Sequence, residues 1–312
     1  AGVLMNDLVV FHPETLAFSR PAIPGLKPPA RHEHAATAFH NHLWLYGGGS
    51  DGGYMSDTWV YSPTDARWAR PSFTGDAPSG RKGHKLAAIG SSLYVWGGCA
   101  AHCFDVSMYV LDVEAGKWEK RVASSGAPPT AREGHAMVVV HERLIIVGGC
   151  DGKKGQCYGG VHVYDPVRDL WSQPTLLASS GQPAPLQGMV AVAIGSEISL
   201  YGGCRVKGSV PSTSIPDPIA SSSALKGSFD PSGLCSSGAW SLTAHFTSFD
   251  APAACPRNCS GNGLCHRGSC ACAPGFSGYG CEKRAVCSSN CTGHGICVHG
   301  SCYCDYGWAG DD

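Results

Sequence analysis

Charge is scarce in this chain of 312 residues: only 15% are Asp, Glu, Lys or Arg, against roughly 25% in an ordinary soluble protein. Neither sign prevails, with 23 basic side chains against 24 acidic ones. The chain therefore lacks the basic excess with which nucleic-acid binders neutralise phosphates, and no nucleic-acid partner is expected. Long apolar runs are missing too. Stretches such as Leu144–Val147 fall far short of the ~20 residues that cross a bilayer. The opening residues do not read as a basic-then-apolar leader. Runs of Lys, Glu and Ala are absent while Gly is plentiful, at 42 residues. Each Gly costs about 1 kcal/mol inside a helix, so a long helical protein is excluded.

Cysteine is present in number, at 17 residues, and unevenly placed. Six lie before residue 250 and eleven crowd into 255–312. The first region is long enough to bury a core of its own; the second is too small and must be stapled.

The long region repeats itself. Gly-Gly pairs stand at 47–48, 97–98, 148–149 and 202–203, each after an apolar run: LWLY, LYVW, LIIV and ISLY. An aromatic recurs at Phe18, Trp68, Trp118, Trp171 and Phe249, about ten residues into an alternating stretch. A third landmark opens each unit: ARHEHAATAF, GRKGHKLAAI, AREGHAMVVV and PLQGMVAVAI. Each unit reads as four short strands separated by turn residues. Strand A is the opening apolar run, B ends in Gly-Gly, C alternates and D carries the aromatic. Strand A of the third unit, AMVVV, is apolar on both faces and is expected to be the most buried.

Four strands in a period of ~50 residues is the kelch signature, and the sequence resembles kelch repeats over residues 7–249. The resemblance implies an all-β, kelch-type β-propeller over residues 1–250, with each strand-D Trp wedged between neighbouring blades. Residues 31–68, 81–118, 132–171 and 183–249 make four whole units; residues 7–18 supply only strands C and D of an earlier one. Propellers close on themselves to protect their edges. Four and a half blades suggest an incomplete ring, a fragment lacking upstream blades.

The cysteine-rich tail holds two copies 32 residues apart, CPRNCSGNGLCHRGSCACAPGFSGYGC at 255–281 and CSSNCTGHGICVHGSCYC at 287–304. Both resemble EGF-like modules, at 255–281 and 287–312. The resemblance implies pairs Cys255–Cys265, Cys259–Cys270 and Cys272–Cys281, then Cys287–Cys297 and Cys291–Cys302. Cys304 is the odd cysteine out, because its partner would fall one position beyond Asp312. The chain is therefore expected to end inside a module. Zinc competes weakly: close pairs such as Cys270 and Cys272 are possible ligands, but their spacings match no common zinc module. Calcium is not expected, since APAA and KRAV precede the first cysteines where acidic or amide residues would be needed. Asn258 and Asn290 head glycosylation sequons at the same place in both copies.

Antiparallel strands put the A–B and C–D turns on one face of such a disc and the B–C and D–A loops on the other. The A–B turns are tight, whereas the B–C loops are expected over 49–56, 99–106, 150–159 and 204–237. Long loops on a rigid scaffold are where recognition usually sits. All six propeller cysteines fall in these loops, and pairs Cys99–Cys103, Cys150–Cys157 and Cys204–Cys235 are predicted. The last encloses a Ser- and Pro-rich insert, 205–234, expected to be mobile. Such bridges imply an oxidising compartment. The D–A loops bring Arg31, Arg81 and Arg132 to one repeat position, as candidate ligands for carboxylate or sulfated-sugar groups. The competing role, favoured two to one, is structural bonding to loop carbonyls. His34, His84 and His135 follow three residues later, with Gly188 read as the fourth unit's replacement. A His metal site is possible but disfavoured, and neither metal nor cofactor is expected.

No nucleophile elbow, phosphate loop, HExxH or paired-carboxylate pattern appears. The reading is a non-catalytic extracellular or cell-surface module that binds a protein or glycan through the B–C and D–A face. The EGF-like pair would be its spacer, and any membrane tether would lie outside this stretch. The architecture resembles attractin-type surface proteins. One alternative is an accessory region of a secretory-pathway enzyme such as an exostosin-like glycosyltransferase. A weaker one is a galactose-oxidase-like copper oxidase.

Overall fold

The computed structural model describes residues 3–100, 105–122, 125–151, 153–174, 185–195, 197–205, 235 and 239–243. In the tail it describes 256–266, 269–272, 276–277, 280–284, 291, 294–298 and 301–304. A short hairpin comes first, β1 (Val10–His12) and β2 (Ala17–Ser19), with Phe11 opposite Phe18. The first full sheet runs in the order β3 (Ala35–Phe39), β4 (His42–Ser50), β5 (Gly53–Ser62) and β6 (Arg67–Ala69). The second begins with β7 (Thr74–Gly75) and continues through β8 (Lys85–Ile89), β9 (Ser92–Trp96), β10 (Met108–Asp112) and β11 (Lys117–Arg121). The third contains β12 (Ala136–Val140) and β13 (Arg143–Val147). A small hairpin, β14 (Cys150–Asp151) and β15 (Gln156–Cys157), interrupts it before β16 (Val161–Asp165) and β17 (Leu170–Ser172). The fourth shows β18 (Val190–Ile194), β19 (Glu197–Tyr201) and β20 (Ala239–Thr243). Phe249, expected on a fourth strand, lies outside the described residues, as do 206–234 of the insert.

Apart from β7, the chain meanders antiparallel through each sheet, outward from β3, β8, β12 and β18. The first strands pack on one another in succession, β3 on β8, β8 on β12 and β12 on β18. That places them around a common axis, as in a propeller, and it corrects the expectation for β12. Met137, Val138 and Val139 in its middle are only half-buried, because this innermost strand has the axis on one side. In the first three sheets the second strands are the more buried, with Leu144 and Val147 both at 0% exposure, since sheet neighbours flank them on both edges. The strand-D tryptophans do lie between sheets: Trp118 sits 5.5 Å from Tyr46 of the preceding sheet, and Trp171 the same distance from Trp96.

Two features differ from the four-strand reading. Residues 49–56 are not a loop, because β4 and β5 extend through them as one long hairpin with a bulge between Tyr46 and Gly48. The D–A connections also add a strand to the outer edge of the next sheet. β7 pairs in parallel with β11, and Ser125 bridges Leu170 in the same sense. Gly75 and Gly126 lie at these crossings because a Cβ there would strike the carbonyl oxygens of Trp118 and Trp171. Each connection thereby covers an edge that would otherwise offer unpaired amides.

Among its described residues the tail shows a 3-10 helix over Pro256–Gly261 and three small hairpins. These are β21 (Gly263–His266) with β22 (Ser269–Cys272), β23 (Phe276–Ser277) with β24 (Lys283–Arg284), and β25 (Gly295–Val298) with β26 (Ser301–Cys304).

Successive sheets approach closely at the Gly-Gly pairs. Gly97 has φ +71°, and a Cβ on it would come within 2.6 Å of His135 Cε1 and 2.9 Å of Arg132 O of the next unit. Gly97→Ala is expected to cost about 1–3 kcal/mol, read as a lower urea midpoint. An unchanged midpoint would show that this contact is not limiting.

Candidate functional site: the face of the B–C and D–A loops

Successive sheets are stitched together on this face by backbone bonds. Gly48 N donates to Arg81 O (2.8 Å), Gly98 N to Arg132 O (2.9 Å) and Gly149 N to Leu186 O (2.8 Å). A second row runs just inside: Gly83 N to Glu33 O (2.9 Å), Gly134 N to Gly83 O (2.8 Å) and Gly188 N to Gly134 O (2.7 Å). Gly188 is thus the counterpart of Gly134, and Met189, not Gly188, takes the histidine position in the fourth unit. Leu186 likewise takes the place of the arginine.

The three arginines turn into the protein. Nη1 of Arg31, Arg81 and Arg132 donates to the carbonyls of Gly47 (2.9 Å), Gly97 (3.0 Å) and Gly148 (3.0 Å). Arg31 also grips Asp57 through two bonds of 2.7 and 2.9 Å. Arg81 reaches Asp105 at 3.0 Å and lies over the Tyr109 ring. Among the described residues Arg132 meets no such carboxylate; it lies over Tyr158 and bonds Thr130 Oγ1, and burial lowers its pKa to about 10. All three residues are at most 6% exposed. The geometry gives them the structural job of fixing the Gly-Gly carbonyls, rather than a ligand ring at the surface.

The histidines differ with position. His34 is exposed. His84 is buried, with its ring edge-on to Tyr46 and Nε2 donating to Tyr46 O (3.0 Å). His135 is fully buried against Trp96, and among the described residues neither ring nitrogen has a hydrogen-bond partner. Among the described residues, no three His, Cys, Asp or Glu side chains converge in a way that would hold a metal ion.

The residue after each arginine, and Gln187 after Leu186, is half-buried at the edge of this face. His32, Lys82, Glu133 and Gln187 form paired backbone bonds with Gly49, Cys99, Cys150 and Cys204, which sets them in a row around the rim. Lys82 Nζ bonds Glu33 at 3.1 Å, and His32 Nδ1 lies 3.2 Å from the same oxygen. Burial works against the Lys82 ammonium, but the bond and charge of Glu33 outweigh it and raise its pKa. Burial pushes the Glu133 carboxyl up, opposed by Lys82 and assisted by Glu33 and Asp151. The rim is therefore polar and of mixed sign. No feature of the repeat marked it, because its side chains differ from unit to unit.

Sulfur pins the loops beside this rim. Cys150 and Cys157 face each other across β14 and β15 with Sγ atoms 1.97 Å apart, and Cys204 is bonded to Cys235. Cys99 is disulfide-bonded; Cys103, its expected partner, lies outside the described residues. In the tail Cys259 joins Cys270, Cys272 joins Cys281 and Cys291 joins Cys302. Cys297 is disulfide-bonded, while Cys255, Cys287 and Asn290 lie outside the described residues, as do the side chains of Asn258 and Cys265.

A family model described as the KLHDC2/KLHL20/DRC7 Kelch-repeats domain matches residues 1–203. The chain belongs to the kelch-repeat family. A Teneurin-like EGF domain matches 255–284 and an EGF-like domain 287–312. The kelch region is similar to that of acyl-CoA-binding domain-containing protein 5 of Arabidopsis thaliana, 35% identical over 31% of this chain and 14% of that protein. It is also similar to the Rab9 effector proteins with kelch motifs of Gallus gallus and Rattus norvegicus. The chicken protein is 34% identical over 30% of this chain and 25% of its own length. The rat protein is 32% identical over 48% of this chain and 27% of its own length. The chain thus spans about a quarter or less of these relatives. Kelch and EGF-like domains together make a protein-binding module.

The buried kelch histidines have a pH consequence. Burial, then the charge of Arg81, lowers the His84 pKa to about 3, and burial, then Lys85 and Arg132, holds His135 well below its usual value. The unfolded chain binds these protons near pH 6.5, so their contribution is present above that pH and is lost as pH falls toward the folded values. The slope is about 1.4 kcal/mol per pH unit for each group. His135→Met, which copies Met189, is expected to flatten urea-unfolding stability between pH 6.5 and 5 by one such slope. An unaltered profile would mean that His135 is not one of the titrating groups.

Proposed function

We propose that this chain is a non-catalytic recognition module of the cell exterior, which holds a protein partner on the B–C and D–A face of its kelch domain. The observation that carries the reading is the rim: His32, Glu33, Lys82 and Glu133, from three successive sheets, gathered on one face by backbone pairing. Beside it the β4–β5 hairpin presents Tyr54 at 45% exposure. A mixed-sign rim with an aromatic beside it suits a protein surface better than a polyanionic glycan, which would call for accessible basic groups of one sign. The bridged loop at Cys150–Cys157 supports an oxidising compartment. The relatives named as Rab9 effectors are named for a protein, which agrees with a protein partner.

A dimeric fusion of the full chain, secreted from cultured cells and screened against a surface-protein library and a glycan array, tests this. A protein ligand is expected, and Lys82→Glu combined with Tyr54→Ala should weaken it at least tenfold without changing the unfolding midpoint. Equal affinity of the variant would remove this face as the binding site. A glycan ligand alone would overturn the protein reading. In the same preparation Cys99, Cys150 and Cys204 should resist alkylation until a reductant is added. Ready labelling without it would overturn the extracellular assignment.

A further inference from the structure

The opposite face of the kelch domain, that of the A–B and C–D turns, carries an aromatic groove between the first two sheets. Trp44 is fully buried there beside Phe39, with Phe73 packed against the cluster and Val113 at 3% exposure. Into this groove comes the second EGF-like unit. Tyr303 on β26 lies edge-on to Trp44, with centroids 5.8 Å apart and the planes at 88°, and 5.9 Å from Phe73. Its hydroxyl donates to Val113 O at 3.0 Å. Ile296, its cross-strand partner on β25, is 1% exposed in the same cluster. Lys283, just ahead of the unit, pairs with Glu114 beside Val113.

The two EGF-like copies differ at the position that matters. Subtracting the 32-residue offset puts Leu264 opposite Ala271 in the first copy, where the second has Ile296 opposite Tyr303. An alanine cannot reach a groove that a tyrosine fills, and its methyl offers no hydroxyl to a buried carbonyl. The pair of modules is therefore unequal in what it can dock.

We infer that this groove is an intramolecular docking site for the tyrosine-bearing hairpin of the second EGF-like unit, so that the unit is clamped to the kelch domain instead of serving as a free spacer. The docked unit fixes the direction in which the chain leaves the kelch domain and occupies the face opposite the rim. This inference stands independently of the rim's role.

Amide hydrogen exchange and solution X-ray scattering on the full chain test it. Tyr303→Ala, which copies the first module and so suits the hairpin, is expected to speed exchange at least tenfold around Trp44 and Val113–Glu114 and to enlarge the radius of gyration. Tyr303→Phe, lacking only the hydroxyl, should fall between. Glu114→Lys should loosen the clamp, and Glu114→Lys with Lys283→Glu should restore it. If Tyr303→Ala and Glu114→Lys both retain wild-type protection and radius, the clamp does not exist. Failure of the rim variants to alter partner binding would leave these readouts untouched.

Discussion

The close approach of one sheet to the next at the Gly-Gly pairs is the constraint on which the kelch domain depends. At Gly97, a Cβ would come within 2.6 Å of His135 Cε1 and 2.9 Å of Arg132 O. At Gly148, it would strike Met189 Cε. Because nothing projects from these glycines, the next sheet's Arg-x-Gly-His segment can lie directly on them and exchange backbone bonds. The rest follows. The arginine turns back to bond the Gly-Gly carbonyl of its own unit, the histidine ring fills the space against the preceding sheet's aromatic, and the residue after the arginine is set at the rim. Rim side chains are thus placed by a packing rule that leaves their own identity free.

That rule explains why the polar groups here are of two kinds. Burying three guanidiniums is tolerable only where each has fixed acceptors. Arg31 and Arg81 find both a carbonyl and a carboxylate. Among the described residues Arg132 meets no carboxylate; it lies over Tyr158 instead and shows a lowered pKa. The fourth unit dispenses with the charge, and Leu186 and Met189 fill the same volume as apolar groups, at 0% and 2% exposure. The same site can therefore be built from ionic or apolar side chains as long as it is filled. This is how core substitution behaves when total volume is kept.

Much of this was legible in the repeats. The Gly-Gly pairs, the alternating third strands and the recurring aromatic in register are enough for a kelch fold, and the spaced cysteines are enough for EGF-like modules. Three things were not legible. Recurrence at one repeat position leaves the arginines open to a ligand ring as well as to the favoured structural role, because the pattern does not show the direction in which a side chain turns. The edge strand β7 was missed because two residues carry no periodicity; its trace was the glycine of TGDAP and SGAPP, which recurs at 75 and 126. The fourth unit was read one residue out of register because Gly188 was matched to histidines, when the inner row of backbone bonds matches it to Gly134.

The tail shows the opposite limit. Its disulfide pattern makes the two EGF-like copies look interchangeable, since cysteine spacing dominates the sequence signal in a domain too small for a large core. Among the positions at which they differ, the one that meets the kelch domain with a hydroxyl-bearing ring is Ala271 against Tyr303, between the same two cysteines of each copy. A ring of that size with a hydroxyl at its tip can both fill an apolar gap and satisfy a buried carbonyl, and Val113 O is the carbonyl it meets. Repetition in a sequence thus identifies the scaffold. The departures from repetition, at the rim of one face and at Tyr303 on the other, are where the molecule acquires surfaces of its own.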